Sequence, residues 1–173
     1  IIASSINLSG IEFELVNKSD RANKLSQSIN KISKYYDFVI IDCPPSLGIL
    51  TVNSLVASDS ILVPLQCEFF ALEGLAQLLK TVEKIKENLN SNLYLEGVIL
   101  TMYDSRNKLS EDVVQDARKH LGNKVFDTII PRNVRLSEAP SHGLPVILYD
   151  KDCYGAKAYL KLAKELINKL KIG

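Results

Sequence analysis

Five short apolar runs, separated by longer stretches of helical spacing, restrict the folding of this 173-residue chain more than any other feature. The runs are FVIID (38–42), SILVPL (60–65), GVILT (97–101), KVFDTII (124–130) and LPVIL (144–148). Each is too continuous for a strand wetted on one face, so all five read as strands covered on both sides. Helical spacing fills the gaps. Leu25, Ile29 and Ile32 share one face, and Leu72, Leu75, Leu79, Val82 and Ile85 share a longer one. In the third helix Ser110 caps, Glu111 and Asp112 suit the positive start, Val113, Val114, Ala117 and Leu121 point inward, and Gly122 stops the turn. The last predicted helix covers 156–170, with Tyr159, Leu160, Ala163, Leu166, Ile167 and Leu170 on one side and Lys157, Lys161, Lys164 and Lys171 nearly opposite. Strands alternating with helices predict an α/β fold of three layers, a mostly parallel sheet flanked by helices. With no repeat, low-complexity tract or linker in view, residues 1–173 read as a single domain.

Composition narrows the partners. An apolar fraction of 46% is enough to close a core. Lysine and arginine number 21 against 20 acids, so binding to nucleic acid or anionic lipid must come from a local patch. The cysteines, Cys43, Cys67 and Cys153, show no CxxC spacing, and His120 and His142 lie near none of them in sequence. Reduced thiols in a cytosol, and no zinc site, are expected. The first residues, IIASSINLSG, lack a basic lead, and no run of about 18 apolar residues occurs, so neither secretion nor a membrane span is expected.

Asp42 closes the 38–42 run, and ligands of open α/β sheets bind beyond the carboxyl ends of the strands. A carboxylate there can hold magnesium through its water shell. Pro44 and Pro45 restrict the path out of the strand, and Gly48 permits a turn at its exit. A stiff loop with a flexible exit suits a switch that feels a phosphate. The same short pattern also suits an acid that merely ends a strand and prolines that merely turn the chain.

Longer strings are more specific. IIDCPPSLGILTVNSLVASD (40–59) resembles the Walker B and switch II region of the ParA/Soj family of deviant P-loop partition ATPases. PLQCEFFALEGLAQLL (64–79) and IPRNVRLSEAPSHGLPVILYD (130–150) resemble two further family blocks in the same order, and SSINLSGIEFELVN (4–17) resembles the segment before the helix that leads to Walker B. The resemblance covers essentially the whole chain. Family members begin with a strand and a KGGxGK[ST] loop, but no GK[ST] and no glycine cluster occurs in this sequence. The chain therefore resembles the C-terminal two-thirds of a ParA protein, with a P-loop NTPase sheet of the SIMIBI type that is incomplete, and open at its strand edges, without the P-loop unit.

The resemblance implies roles residue by residue. Asp42 would hold magnesium through water, with Cys43, Pro44, Pro45, Ser46, Leu47 and Gly48 as switch II. Thr101, Met102, Pro131, Arg132 and Asn133 would hold the adenine of ATP, although packing is the commoner fate of a methionine such as Met102. Gln66, Glu68 and the helix start after them resemble the surface near the family's dimer face; Glu68 equally fits a solvated acid at a strand end. No residue of this segment is expected to be catalytic. Arg106, Arg118, Arg135, Lys157, Lys161 and Lys164 are candidates for nonspecific contacts with double-stranded DNA, while the lysine row also fits the wet side of a helix. The implied function is a partition ATPase that forms a homodimer on ATP and magnesium, binds DNA on the nucleoid in the cytoplasm, avoids membrane, and is released by a ParB-type partner. The segment alone is expected to be inactive.

Two readings compete. A MinD-like membrane ATPase would want bulky apolar anchors on its last helix, which here carries Leu, Ala, Ile and one Tyr. An iron–sulfur relative would need a bridging cysteine in a glycine-rich switch II, and Cys43 before two prolines matches that poorly. From another class comes a nonenzymatic fragment that binds a partner or pairs through exposed sheet.

Overall fold

The protein is described here from a computed structural model that places all residues except Ser5, Ile6, Asn7, Ser9, Val16, Pro45, Leu47 and Gly173, with Glu12, Lys171 and Ile172 placed in backbone only. Its elements in chain order are α1 (Ile11–Leu15), α2 (Lys24–Ile29), α3 (Ile49–Ala57), β1 (Ser60–Gln66), α4 (Ala71–Asn88), β2 (Tyr94–Thr101), α5 (Lys108–Leu121), α6 (Val134–Glu138), α7 (Val146–Tyr149) and α8 (Tyr154–Ile172). The chain divides into two compact units, Ile1–Ile61 with Lys80–Tyr94 and Leu62–Leu79 with Leu95–Gly173.

In the first unit, buried Asn53 ties α3 to α2. Its Nδ2 donates to Arg21 O at 2.8 Å and Ile49 O at 2.9 Å, and its Oδ1 accepts from Leu25 N at 3.2 Å. Asn90 serves the far end of α3, donating to Leu55 O at 3.0 Å and Ser58 O at 2.8 Å. The run 38–42, expected to be a strand, is not one here: no ladder forms on it, and Phe38, Val39 and Ile40 stand exposed. Strand geometry needs a hydrogen-bonded neighbour, and none of the described residues supplies one.

In the second unit β1 and β2 pair in parallel. Their register is set where Cys67 N donates to Thr101 O at 3.0 Å; in the first unit, Tyr94 N reaches Asp59 O at 3.3 Å. The expected strand 124–130 lies on the opposite side of β2 but is broken. It meets β2 at the parallel bridge of Val98 with Val125, where Phe126 N donates to Val98 O at 2.9 Å, and again where Ile130 N donates to Leu100 O at 2.8 Å, and a second bridge, Tyr103 to Pro131, follows just beyond both. At the break between these two joins the Glu165 carboxylate accepts Asp127 N at 2.7 Å and Thr128 N at 2.9 Å, and the Thr128 amide is the one a continuous ladder would turn toward β2. Burial, the largest single influence, pushes the Glu165 carboxyl up, but the hydrogen bonds from residues 127 and 128 together outweigh it and hold the group below its ordinary range.

The core of this unit is Ile99, Phe126, Ile130 and Leu162, with Leu136, Ala158 and Leu166 packed around it. Thus α8 presents Ala158, Leu162 and Leu166 to the core, whereas Tyr159, Leu160, Ala163 and Ile167, expected inside, are exposed. Gly155 accounts for the rotation: a Cβ there would stand 2.6 Å from Leu136 Cγ, so the missing side chain lets the start of α8 settle close to Leu136.

Two further expectations change. The run 144–148 is not a strand: it turns into α7 after extended Pro145, with Leu148 N and Tyr149 N both donating to Pro145 O. Closing hydrogen bonds within one turn satisfies a backbone that has no sheet edge beside it. The cap of α5 is Asn107, whose Oδ1 accepts Leu109 N at 3.0 Å, rather than Ser110; Ser110 is buried and donates to Cys67 O at 3.3 Å. Gly122 does stop α5, at φ 53°.

Candidate functional site

The carboxyl end of β2 is held from both sides. Thr101 O accepts the amide of Cys67 just beyond β1, and Tyr103 joins the far side by accepting Arg132 N at 2.8 Å. Between them Met102 takes φ 55°, a left-handed conformation that no other non-glycine residue adopts among those described. Backbone strain of this kind gathers where a structure fixes a side chain for use.

A cavity of about 780 Å³ opens at this edge, lined by Gln66, Cys67, Glu68, Phe69, Phe70, Met102, Asp104, Asn107, Ser110 and Arg132 among others. The size suits a nucleobase with its sugar. Phe69 and Phe70 meet edge to face with centroids 4.9 Å apart, and both are more than two-thirds exposed. With Met102 they give the cavity apolar wall, and the charged groups give it a polar rim.

That rim is electrostatically closed. Arg132 Nη2 lies 3.5 Å from Glu68 Oε1, and Arg106 grips both oxygens of Asp104. The Arg106 guanidinium, helped by the Arg106 amide, holds the Asp104 carboxyl well below the usual carboxylate range. The neighbouring Tyr103 hydroxyl donates to Glu111 Oε2 at 2.9 Å, which raises the phenol. Burial pushes the Cys67 thiol up to about 11, so it is neutral and unreactive beneath the cavity.

Of the five residues expected to hold a base, Met102 and Arg132 line this cavity. Thr101 and Pro131 lie behind it in the backbone joins, and the Asn133 side chain is committed to capping α6, its Oδ1 accepting Arg135 N at 2.9 Å. Its Nδ2 retains donors for a ligand. Sequence reasoning missed Cys67, Phe69, Phe70, Asp104 and Asn107 as cavity residues. The rule that ligands sit beyond strand ends, applied to β1 as well as β2, would have found the first three.

In the first unit Asp42, Cys43, Pro44 and Ser46 are exposed, and Gly48 precedes α3 in extended conformation. Thr51 anchors this loop by donating to Ser46 O and, at 3.5 Å, to Pro44 O. Pro45 and Leu47 lie outside the described residues. A lone exposed carboxylate suits a metal that keeps its waters, since magnesium takes one or two protein carboxylates and fills the rest of its shell with water and phosphate. No cluster of three or more potential metal ligands occurs among the described residues.

The candidate DNA contacts are dispersed. Arg106 and Arg135 are engaged with carboxylates, Arg118 reaches Asp127 O at 3.5 Å, and Lys157 stands 4.0 Å from Asp152. Lys161 and Lys164 are exposed on α8. No helix among the described residues is long and apolar enough to cross a membrane.

A family model described as an AAA domain matches residues 1–95. The chromosome partitioning protein ParA of Caulobacter vibrioides (strain NA1000 / CB15N) is 54% identical over 171 residues, which cover 98% of this chain and 64% of that protein. The sporulation initiation inhibitor protein Soj of Bacillus subtilis (strain 168) is 52% identical over 166 residues, covering 96% of this chain and 66% of its own length. The chain thus spans a little under two-thirds of these relatives. Among solved structures, the cobyrinic acid a,c-diamide synthase of Mycobacterium smegmatis with a bound ATP analogue and magnesium is 35% identical, with a TM-score of 0.80 over 97% of this chain and 62% of that one. That match makes the architecture a P-loop NTPase-like α/β fold, a parallel sheet flanked by helices. On the family model and on identity along nearly its whole length, the chain belongs to the ParA/Soj family of partitioning ATPases within the AAA-domain group.

Proposed function

We infer that residues 1–173 form the C-terminal two-thirds of one ParA-type ATPase domain. The protein binds ATP with magnesium, dimerises on the nucleotide, holds double-stranded DNA without sequence preference on the nucleoid in the cytoplasm, and is released when a ParB-type partner stimulates hydrolysis. The observation that carries the site is the cavity at the carboxyl ends of β1 and β2, with strained Met102 in its wall. Identity to ParA and Soj proteins supports the biological role.

Bound magnesium ATP supplies the phosphoryl group and the charge that shields it. The chain's own residues do the rest. Met102 and the Arg132 guanidinium would offer an apolar and a planar surface to the base, Asn133 Nδ2 keeps donors for a hydrogen bond, and Thr101 supports the site from behind through its backbone. Asp42 would hold the metal through a water, and Thr51 fixes the loop that follows Asp42 to α3 by donating to Ser46 O, so that the loop would lie where it can respond to the terminal phosphate. No residue of the segment is assigned as catalytic, because the GK[ST] loop that would hold the phosphates is not among its 173 residues. The segment by itself is therefore inactive in this reading.

Mass measurement of the protein as expressed from its gene, with and without magnesium ATP, tests the assignment. Wild type forms ATP-dependent dimers and Asp42→Ala does not; equal dimers in both would overturn the role of Asp42. One observation favours a second reading, a MinD-like membrane-associated ATPase: Tyr159, Leu160 and Ile167 are exposed on α8, beside the row of lysines. Flotation with liposomes of anionic lipid separates the two, since the partition reading expects no lipid-bound protein.

A further inference from the structure

Two hydroxyls of α3 are put to different uses. Ser54 donates to Leu50 O at 3.0 Å, four residues back, which is the ordinary use of a hydroxyl inside a helix. Thr51, near the start of the helix, donates instead to carbonyls outside it: to Ser46 O and, at 3.5 Å, to Pro44 O, both in the loop that follows Asp42. Pro44 and Ser46 are exposed, whereas Thr51 is buried, with 7% of its surface in water. Residues 42–46 make one other hydrogen bond among the described residues, from Cys43 Sγ to Ile41 O at 3.8 Å, and it does not reach the helix.

The helix behind Thr51 is a fixed frame. Buried Asn53 joins it to α2 through Arg21 O and Leu25 N, and Asn90 holds its far end at Leu55 O and Ser58 O. Burial and β-branching leave the Thr51 side chain little rotamer freedom, so its hydroxyl is aimed from a rigid body at the loop. A hydroxyl carries one proton, and it can serve one carbonyl well at a time. Ser46 O is the close acceptor and Pro44 O stands at the outer limit of hydrogen bonding, so Thr51 pins the loop at Ser46, four residues after Asp42.

We propose that Thr51 is a positioning residue for ATP hydrolysis: its hydroxyl holds the backbone of residues 44–46 so that the loop after Asp42 meets the terminal phosphate in one conformation. Thr51 touches neither nucleotide nor metal in this role; it acts through the carbonyls of Ser46 and Pro44. The proposal rests on the partition-ATPase reading given above and adds to it the side chain that sets the loop. A loop held less well still admits nucleotide but spends less time in the reactive geometry, so the rate falls while affinity does not.

Thr51→Val replaces the hydroxyl by a methyl of similar size, and Thr51→Ser keeps the hydroxyl while dropping the methyl. Both are made in the protein as expressed from its gene, and kcat with magnesium ATP, ATP affinity by equilibrium titration and the melting temperature are measured side by side. Thr51→Val is expected to lower kcat about five- to ten-fold, the factor carried by one hydrogen bond realised in the transition state, with ATP affinity within about two-fold of wild type. Thr51→Ser is expected to hydrolyse ATP within about two-fold of wild type, since the donor is kept. Thr51→Ala, which removes both branches, serves if Thr51→Val melts early. Hydrolysis at the wild-type rate without the hydroxyl, or a loss confined to ATP affinity, overturns the proposal. So does an equal loss in Thr51→Ser and Thr51→Val that tracks the melting temperature, which marks packing alone. A wild type that neither binds nor hydrolyses ATP overturns the partition-ATPase reading, and the positioning role with it.

Discussion

Gly97→Ala is expected to destabilise the protein, although glycine to alanine at an unstrained site gains about 0.4–1 kcal/mol through the unfolded chain. A methyl at position 97 would stand 2.5 Å from Phe126 Cε2, 2.9 Å from Phe126 Cδ2 and 2.7 Å from Lys124 O. Ordinary carbon contacts lie at about 3.5–4.0 Å, so close to an ångström of room must be found. Phe126 cannot yield it: the ring is fully buried among Ile99, Ile130 and Leu162. Lys124 O belongs to backbone held next to β2 by the Val98 to Val125 bridge. Overpacking of a core costs about 1–3 kcal/mol, and a clash that includes backbone falls in the upper half of that range. The chain has no tryptophan, so urea unfolding is followed by far-UV circular dichroism. With a slope of about 2 kcal/mol/M, the midpoint drops by about 1 M or more. Phe126→Leu added to Gly97→Ala restores part of the loss, because leucine lacks the ring edge that meets the methyl, and the two changes are then non-additive. A midpoint for Gly97→Ala equal to wild type or higher would refute the packing argument.

Asn53→Ala removes the donor and acceptor that join α2 to α3, leaving Leu25 N and Arg21 O without these partners, and is expected to cost about 2–3 kcal/mol; thermal melting reads it, and a melt at the wild-type temperature would contradict the linkage. The Cys67 thiol is raised from 9.0 to about 11 by burial, so the stability it contributes is complete below pH 9 and is lost as pH rises toward about 11, where the unfolded thiol ionises first. Unfolding free energies measured across that window should fall more steeply in wild type than in Cys67→Ala; parallel curves would refute the assignment. At pH 8 iodoacetamide should modify exposed Cys43 well before buried Cys67, with peptide mapping as the check.

Local pattern carried the sequence reading where structure is local. The spans of α4, α5 and α8 and the strands β1 and β2 follow from spacing, because their hydrogen bonds run within the element or to a neighbour of the same kind. Other elements depend on distant partners. The run 124–130 has strand composition throughout, yet Glu165 on α8 takes two of its amides, and nothing within the run reports a carboxylate that far away. The face of α8 turned because Gly155 admits Leu136, a contact between separate helices. In the site, Met102 could be placed at a strand end, but its positive φ and the facing Phe69 and Phe70 come from how β1 and β2 are registered. The arginines were legible as positive charges; that each is matched by an acid emerges only when the loops are brought together.

We propose that the carboxyl edge of β2 receives the base of ATP. Photolabelling of the protein, as expressed from its gene, with an azido-adenine analogue of ATP in magnesium, followed by mapping of the modified peptide, tests it most directly. A label at Met102 or within 131–133 that excess ATP suppresses is the expected result. A label that ATP suppresses but that maps to neither place would contradict it.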